Sequence, residues 1–145
     1  LAANLGVSAT IGRVTDEQLK DLYETADVFV QCSRVELEGM SALEAMAAGC
    51  PTLLNRTETS ALSELIQDPV GAFTDEAPNM LTQKLDALLS NPGARQFLAD
   101  QNRAFALTRR HEASAAQLAN LYRYVLGDKL KSEAGQPMTD EGHAS

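Results

Sequence analysis

An apolar run, DVFVQC at 27–32, is followed by a polar loop, a glycine-led stretch rich in alanine, and a second apolar run, PTLL at 51–54. Read as strand, loop, helix and strand, this is half of a parallel crossover unit. Residues 28–32 are apolar but for Gln31, with β-branched valines at 28 and 30, as expected of a strand buried on both faces of a parallel sheet. In open α/β sheets the loop after a strand lies at the carboxyl ends, where ligands bind. Here that loop and the helix after it carry two glutamates, Glu36 and Glu44, eight positions apart with Gly39 between them.

The flanking sequence continues the same alternation. Residues 1–6 read as the end of a helix closed by Gly6, and 7–12 as a short strand. Thr15-Asp16-Glu17 opens a helix with acidic residues in its first turn, where the dipole favours them. Leu19, Leu22, Tyr23 and Ala26 then recur at helical spacing and mark a core-facing stripe. After the strand at 28–32, a helix is expected over 41–48, ended by Gly49, and a strand over 52–54. A short helix over 61–67 is stopped by Asp68-Pro69, and 72–74 makes a last strand. Residues 78–90 form an amphipathic helix through Met80, Leu81, Leu85, Leu88 and Leu89. Asn91-Pro92-Gly93 breaks it before two further helices, around 94–108 and 112–126. Beyond Gly127 the sequence is polar with almost no large apolar residues, which predicts a disordered tail over 128–145.

The 145 residues suffice for one ordinary domain. A net charge of −8 repels phosphate backbones and anionic lipid, so nucleic acid and polybasic membrane docking are not expected. No apolar run approaches the ~18 residues of a membrane span, and no export signal is visible. A nucleotide remains possible in an acidic protein, because a helix N-terminus and a few arginines can hold a diphosphate. Arg13, Arg34 and Arg56 follow predicted strands and are the local candidates; solvated loop charge is the alternative for each. Cys32 and Cys50 lack metal-ligand spacing and read as small buried hydrophobes in a reducing compartment.

Ser41 and Glu44 have the Ser-x-x-Glu spacing of a capping box, which would by itself account for Glu44. It accounts neither for Glu36 nor for Gly39. A glycine there lets the backbone approach a ligand, and the amides of Met40, Ser41 and Ala42 form an anion site. A carboxylate early in that helix can accept hydrogen bonds from vicinal hydroxyls such as those of a ribose. The residues alone therefore admit two readings: a nucleotide or sugar-phosphate site, or a structural loop and cap.

The segment SRVELEGMSALEAMAAGCPTLL resembles the glutamate-x7-glutamate region of family 4 (group 1) glycosyltransferases, retaining enzymes of the GT-B fold. Ser33, Glu36, Gly39, Glu44, Ala45, Met46, Ala47, Gly49 and Pro51 stand at the positions of that pattern. Ile11-Gly12-Arg13-Val14 with DEQLKDLYETADVFV is similar to the family's glycine turn, helix and following strand. Ser63-Glu64-Leu65-Ile66 with Gly71 resembles its later helix, and Tyr122 sits where its last helix has a tyrosine. The likeness covers about residues 1–127, and order and spacing together make it specific.

The resemblance implies an α/β fold: a Rossmann-like parallel sheet with flanking helices, the C-terminal part of a GT-B domain, followed by C-terminal helices. Residues 1–127 would be part of a sugar-nucleotide-binding domain. Glu36 would lie near the donor sugar as the catalytic candidate, and Glu44 would bind ribose hydroxyls. Gly39, Met40 and Ser41 would offer amides to the diphosphate, and Gly12, Arg13 and Val14 would lie beside the base. The implied partner is a nucleoside-diphosphate sugar, with no metal and no other cofactor. Leu37-Glu38 replaces the family's frequent glycine–aromatic pair, and 55–60 lacks its usual glycines. Arg110-His111-Glu112 stands where an aromatic often precedes the last helices, so His111 reads as a surface residue.

The chain begins at Leu1 without methionine and lacks the family's earlier glycine–arginine and lysine segment and its acceptor domain. The reading is therefore a donor-domain fragment, inactive alone, of a cytoplasmic transferase that meets the membrane only through absent parts. The alternatives are a non-catalytic sugar-nucleotide-binding or partner module, or another GT-B enzyme such as a sugar-nucleotide epimerase. The alanine-rich Glu44 helix favours the transferase.

Overall fold

The computed structural model describes residues 6–77, 79–109, 115 and 118–126. By contact density the chain divides into two compact units, Leu1–Leu107 and Thr108–Ser145. In the first unit the order is α1 (Asp16–Thr25), β1 (Phe29–Gln31), α2 (Met40–Ala48), β2 (Thr52–Asn55) and α3 (Leu62–Leu65). A 3-10 turn (Pro69–Gly71), β3 (Ala72–Phe73), α4 (Met80–Ser90) and α5 (Pro92–Thr108) follow. The three strands form one parallel sheet in the order β1-β2-β3, with Phe29 opposite Thr52 and Leu54 opposite Ala72. This is the α/β architecture expected, with α2 as the crossover between β1 and β2.

Burial explains why the central strand is the most apolar. Leu53 and Leu54 on β2 are fully buried, as are Ala42 and Ala45 on α2 and Leu62 on α3. Alanines on the inner face of α2 let that helix lie close to the sheet, and Met46 fills the remaining gap against Leu54, Leu65 and Ala106. Each such buried leucine contributes about 1.5–3 kcal/mol of transfer free energy. One polar pair crosses this interior: Asn102 Nδ2 on α5 donates to Thr52 Oγ1 at 2.9 Å, and both residues are buried.

Several expectations change. Residues 7–12 form no strand: Val7 and Ile11 are exposed, and no neighbouring strand among the described residues offers them a hydrogen-bonding edge. Strand propensity without a partner does not make a strand. β1 is only half-buried rather than covered on both faces, because it is an edge of this sheet, paired on one side by β2. Cys32, just past that edge strand, is exposed, whereas Cys50 is buried as expected; both are free thiols. On α1 Leu19 and Tyr23 are half-buried, but Leu22 and Ala26 face solvent, so the stripe is narrower than its spacing implied.

Helix boundaries follow local chemistry. Thr15 and Gln18 make a reciprocal capping box at the start of α1, with Oγ1 accepting from Gln18 N–H at 3.3 Å and Oε1 from Thr15 N–H at 3.0 Å. Pro92 begins α5, where a missing N–H is harmless, and Asn91 Oδ1 accepts from Ala94 N–H at 3.0 Å. α3 is shorter than 61–67, stopping at Leu65, and β3 is two residues long.

In the second unit, residues 118–126 are helical as expected, with Leu118, Leu121, Tyr122, Val125 and Leu126 exposed. His111 and the expected tail at 128–145 lie outside the described residues, as does most of the expected helix at 1–6. Among the described residues no helix is long and apolar enough to cross a membrane.

Candidate functional site

The loop between β1 and α2 is held at both ends. At its start Gln31 closes β1, and in its middle Glu36 makes an isolated parallel bridge to Ser60, with Ala61 N–H donating to Glu36 C=O at 2.9 Å. At its end Gly39 is buried and left-handed, with φ 70° and ψ 34°. A Cβ at that position would stand 2.8 Å from Leu65 Cδ1 and 3.1 Å from Leu62 Cδ2, both in the core. Glycine is required here twice over, by dihedral and by space.

Gly39, not Ser41, is the N-cap of α2, and no side chain caps it. The capping box expected at Ser41 and Glu44 is therefore not formed; Ser41 and Glu44 are the second and fifth helical residues. The first intrahelical bond runs from Leu43 N–H to Gly39 C=O at 3.0 Å. The amides of Met40, Ser41 and Ala42 precede it and have no carbonyl one turn back. Met40 and Ser41 are exposed and Ala42 is fully buried, so the positive end of the helix dipole lies at the surface through the first two positions. Such an uncapped helix start is a place where negative charge is favoured.

Glu36 is fixed beside that mouth. Its Oε2 accepts from Gln31 Nε2 at 2.9 Å, and its Oε1 accepts from Leu37 N–H at 3.1 Å. Its Cγ would stand 3.9 Å from a Cβ at Gly39, so the side chain runs alongside the glycine.

Glu44 faces a different neighbour. Tyr23 Oη on α1 donates to Glu44 Oε2 at 3.4 Å, and the Tyr23 ring meets Phe29 edge-on at 5.7 Å. Partial burial raises the Tyr23 pKa, the Glu44 carboxylate raises it further, and the Ser41 hydroxyl acts in the opposite direction. Between α1 and α2 lies a cleft of about 530 Å³ lined by Asp16, Leu19, Lys20, Tyr23, Glu44 and Arg103. Leu19 and Ala47 give it apolar lining, and Asp16, Lys20, Glu44 and Arg103 give it charged lining.

The remaining candidates are placed less closely. Gly12, Arg13 and Val14 lie in the exposed irregular stretch before α1, and among the described residues no hydrogen bond or ion pair joins them to the 32–44 segment. Arg34 pairs with Asp75 through its Nε while its carbonyl accepts from Thr57 at 2.7 Å and Thr59 at 3.2 Å. With Arg34 largely exposed, that ion pair adds little stability. Arg56 directly follows β2 and lines a second cleft, about 590 Å³, with Thr57, Glu58, Ser63, Thr74 and Asp75. Among the described residues no group of three metal-ligating side chains is brought together.

Two residues of the site escape sequence reasoning. Tyr23 reads as one more member of the α1 stripe, and Gln31 as an interior residue of the strand expected over 28–32. For Gln31 a signal exists: it is the one polar residue in the run VFVQC, set where the strand meets a loop bearing a carboxylate.

The chain is similar to known proteins. The family model described as "Glycosyl transferases group 1" matches residues 1–105. The GDP-mannose-dependent alpha-(1-6)-phosphatidylinositol dimannoside mannosyltransferase of Mycobacterium tuberculosis is 33% identical over 100 residues, 69% of this chain and 26% of that protein. The D-inositol 3-phosphate glycosyltransferase of Corynebacterium urealyticum is 31% identical over 127 residues, 85% of this chain and 30% of that protein. The mannosylfructose-phosphate synthase of Agrobacterium fabrum is 56% identical over 43 residues, 30% of this chain and 10% of that protein. The chain thus spans between 10% and 30% of the length of these curated relatives. Among solved structures, the catalytic domain of cholesterol-alpha-glucosyltransferase from Helicobacter pylori superposes with a TM-score of 0.69 at 27% identity. That match covers 75% of this chain and 69% of that one.

Proposed function

The chain belongs to the group 1 glycosyltransferases, a GT-B family, and from that premise we propose that it binds the nucleoside-diphosphate sugar of a retaining glycosyl transfer. The observation that carries this reading is the start of α2: a buried left-handed glycine, three uncapped amides and a fixed carboxylate at one sheet edge. In this reading the diphosphate lies against the amides of Met40, Ser41 and Ala42. The sugar lies towards Glu36, and the ribose towards Glu44 and the cleft beside Tyr23. The base extends towards Gly12, Arg13 and Val14, and an acceptor-binding segment outside this chain completes the enzyme.

The chemistry follows from the charges that develop. As the bond from the anomeric carbon to the diphosphate oxygen breaks, negative charge grows on the leaving phosphate and positive charge on the sugar. Amides already aimed at the phosphate stabilise the first without reorganising, and removing one such donor typically costs ~10²–10³ in turnover. The Glu36 carboxylate, with each oxygen already accepting a hydrogen bond, acts as a fixed counter-charge and hydroxyl acceptor rather than as a free nucleophile. The acceptor hydroxyl then enters on the face the leaving group vacates, and its proton passes to the departing diphosphate oxygen.

Calorimetric titration of the native protein carrying this sequence with UDP, GDP and their sugar derivatives tests the reading. Saturable binding of one of them, weakened in Glu44→Ala, supports it; turnover should fall in Glu36→Ala with little change in donor affinity. Absence of binding by every nucleotide tried overturns it and favours a partner module on the same half-fold.

A further inference from the structure

Gln31 does more than hydrogen-bond to Glu36. It ends β1 in register with Leu54, which is fully buried, so its backbone is fixed by the sheet rather than by the loop. Its Nε2 donates to Glu36 Oε2 at 2.9 Å. The reverse amide orientation would set a carbonyl oxygen against a carboxylate, acceptor against acceptor, so the chemistry fixes which end faces Glu36. The other end, Oε1, is buried with no hydrogen-bond partner among the described residues. Native structures leave few buried polar atoms in that state, and each one asks for an explanation. The only other side-chain atom of this kind among the described residues is Asn55 Oδ1, on a side chain wholly closed to solvent. Gln31 as a residue is only partly covered, unlike Asn55, although its Oε1 is itself closed to solvent.

We propose that Gln31 is a sugar-contacting residue: its amide nitrogen orients Glu36, and its carbonyl oxygen accepts a hydrogen bond from a hydroxyl of the transferred sugar. The inference rests on the donor-binding reading above and deepens it. An uncharged carbonyl oxygen accepts and cannot donate, so it has nothing to offer phosphate oxygens. The donors on a nucleoside-diphosphate sugar are hydroxyls and base N–H groups. The ribose is taken by Glu44 and the base lies by the start of α1, which leaves the sugar hydroxyls for the atom next to Glu36. Gln31 thereby makes the site sensitive to the sugar independently of the nucleotide.

The discriminating experiment compares the native protein with Gln31→Met and Gln31→Asn, by calorimetry, on bare UDP and GDP and on their glucose and mannose derivatives. Methionine keeps the length and loses both polar groups; asparagine keeps the amide and loses the reach. Both variants should bind the bare nucleotide within about twofold of wild type and lose about threefold to tenfold for the sugar nucleotide, the scale of one neutral hydrogen bond. Retained nucleotide binding shows that the variants fold. Equal affinities of wild type and variants for the sugar nucleotide overturn the role of Gln31 and leave the donor site standing. Equal losses for bare and sugar nucleotide also overturn it, making Gln31 structural. Failure of wild type to bind any nucleotide overturns the donor-binding reading and this inference with it.

Discussion

Replacing Gly39 by alanine separates a ligand-shaped loop from an arbitrary one. An L-residue at φ 70° costs about 1–2 kcal/mol relative to glycine. The new Cβ would also stand 2.8 Å from Leu65 Cδ1 and 3.1 Å from Leu62 Cδ2. Both leucines are core residues, 4% and 0% exposed, so neither can swing away into solvent. Overpacking of this kind adds about 1–3 kcal/mol. The total, about 2–5 kcal/mol, is a large share of a domain's stability. Gly49→Ala is the matched control: it is also left-handed, at φ 85°, yet its Cβ would find nothing nearer than 3.9 Å on Arg103. It should cost only the dihedral share, about 1–2 kcal/mol. Gly12→Ala, with no positive φ and nothing within 4 Å, should be close to neutral. Urea unfolding followed by far-UV circular dichroism gives all three midpoints. The order wild type and Gly12→Ala, then Gly49→Ala, then Gly39→Ala is expected. Gly39→Ala no less stable than Gly49→Ala would refute the claim that α3 clamps the start of α2.

Other consequences can be measured alongside. Thr15→Ala removes one half of the α1 capping box and should cost about 1 kcal/mol in the same unfolding assay; no loss would mean that α1 is held by its packing alone. Asn102→Ala strands the buried Thr52 hydroxyl and should destabilise by more than 1 kcal/mol, on the scale of a buried unsatisfied group. Thr52→Val combined with Asn102→Leu should recover part of that loss. The raised Tyr23 pKa means that the folded state holds the phenolic proton more tightly than the unfolded chain. Its stability contribution is present below about pH 10, the unfolded value, and is lost as pH rises through the folded value. Wild type should therefore lose stability more steeply than Tyr23→Phe as the pH rises above about 10, and parallel profiles would dismiss the raised Tyr23 pKa.

The crossover unit was legible in sequence because its signals are local: an apolar strand, an alanine-rich helix and a second strand at the right intervals. The positions of Glu36, Gly39 and Glu44 were legible for the same reason. Where the reading failed, a long-range contact decided. Ser41-x-x-Glu44 has capping-box spacing, but α2 starts two residues earlier because Leu62 and Leu65 leave room only for a left-handed glycine. Residues 7–12 have the composition of a strand, but a strand needs a neighbour, and none stands beside them among the described residues. β1 is less buried than its composition implies, because composition does not say which strand lies at an edge. In sequence Tyr23 reads only as a stripe residue and Gln31 only as a strand residue, because each joins the site through a side chain from another element, Glu44 for one and Glu36 for the other.

The central claim is that uncapped amides at the start of α2 receive a diphosphate. Two-dimensional amide NMR of the native protein, titrated with UDP and with GDP, reads those amides directly. The account predicts saturable shifts centred on Gly39, Met40, Ser41 and Ala42, with smaller ones at Glu36 and Glu44. Shifts confined to the cleft around Arg56 and Asp75, or no shifts with either nucleotide, would contradict it.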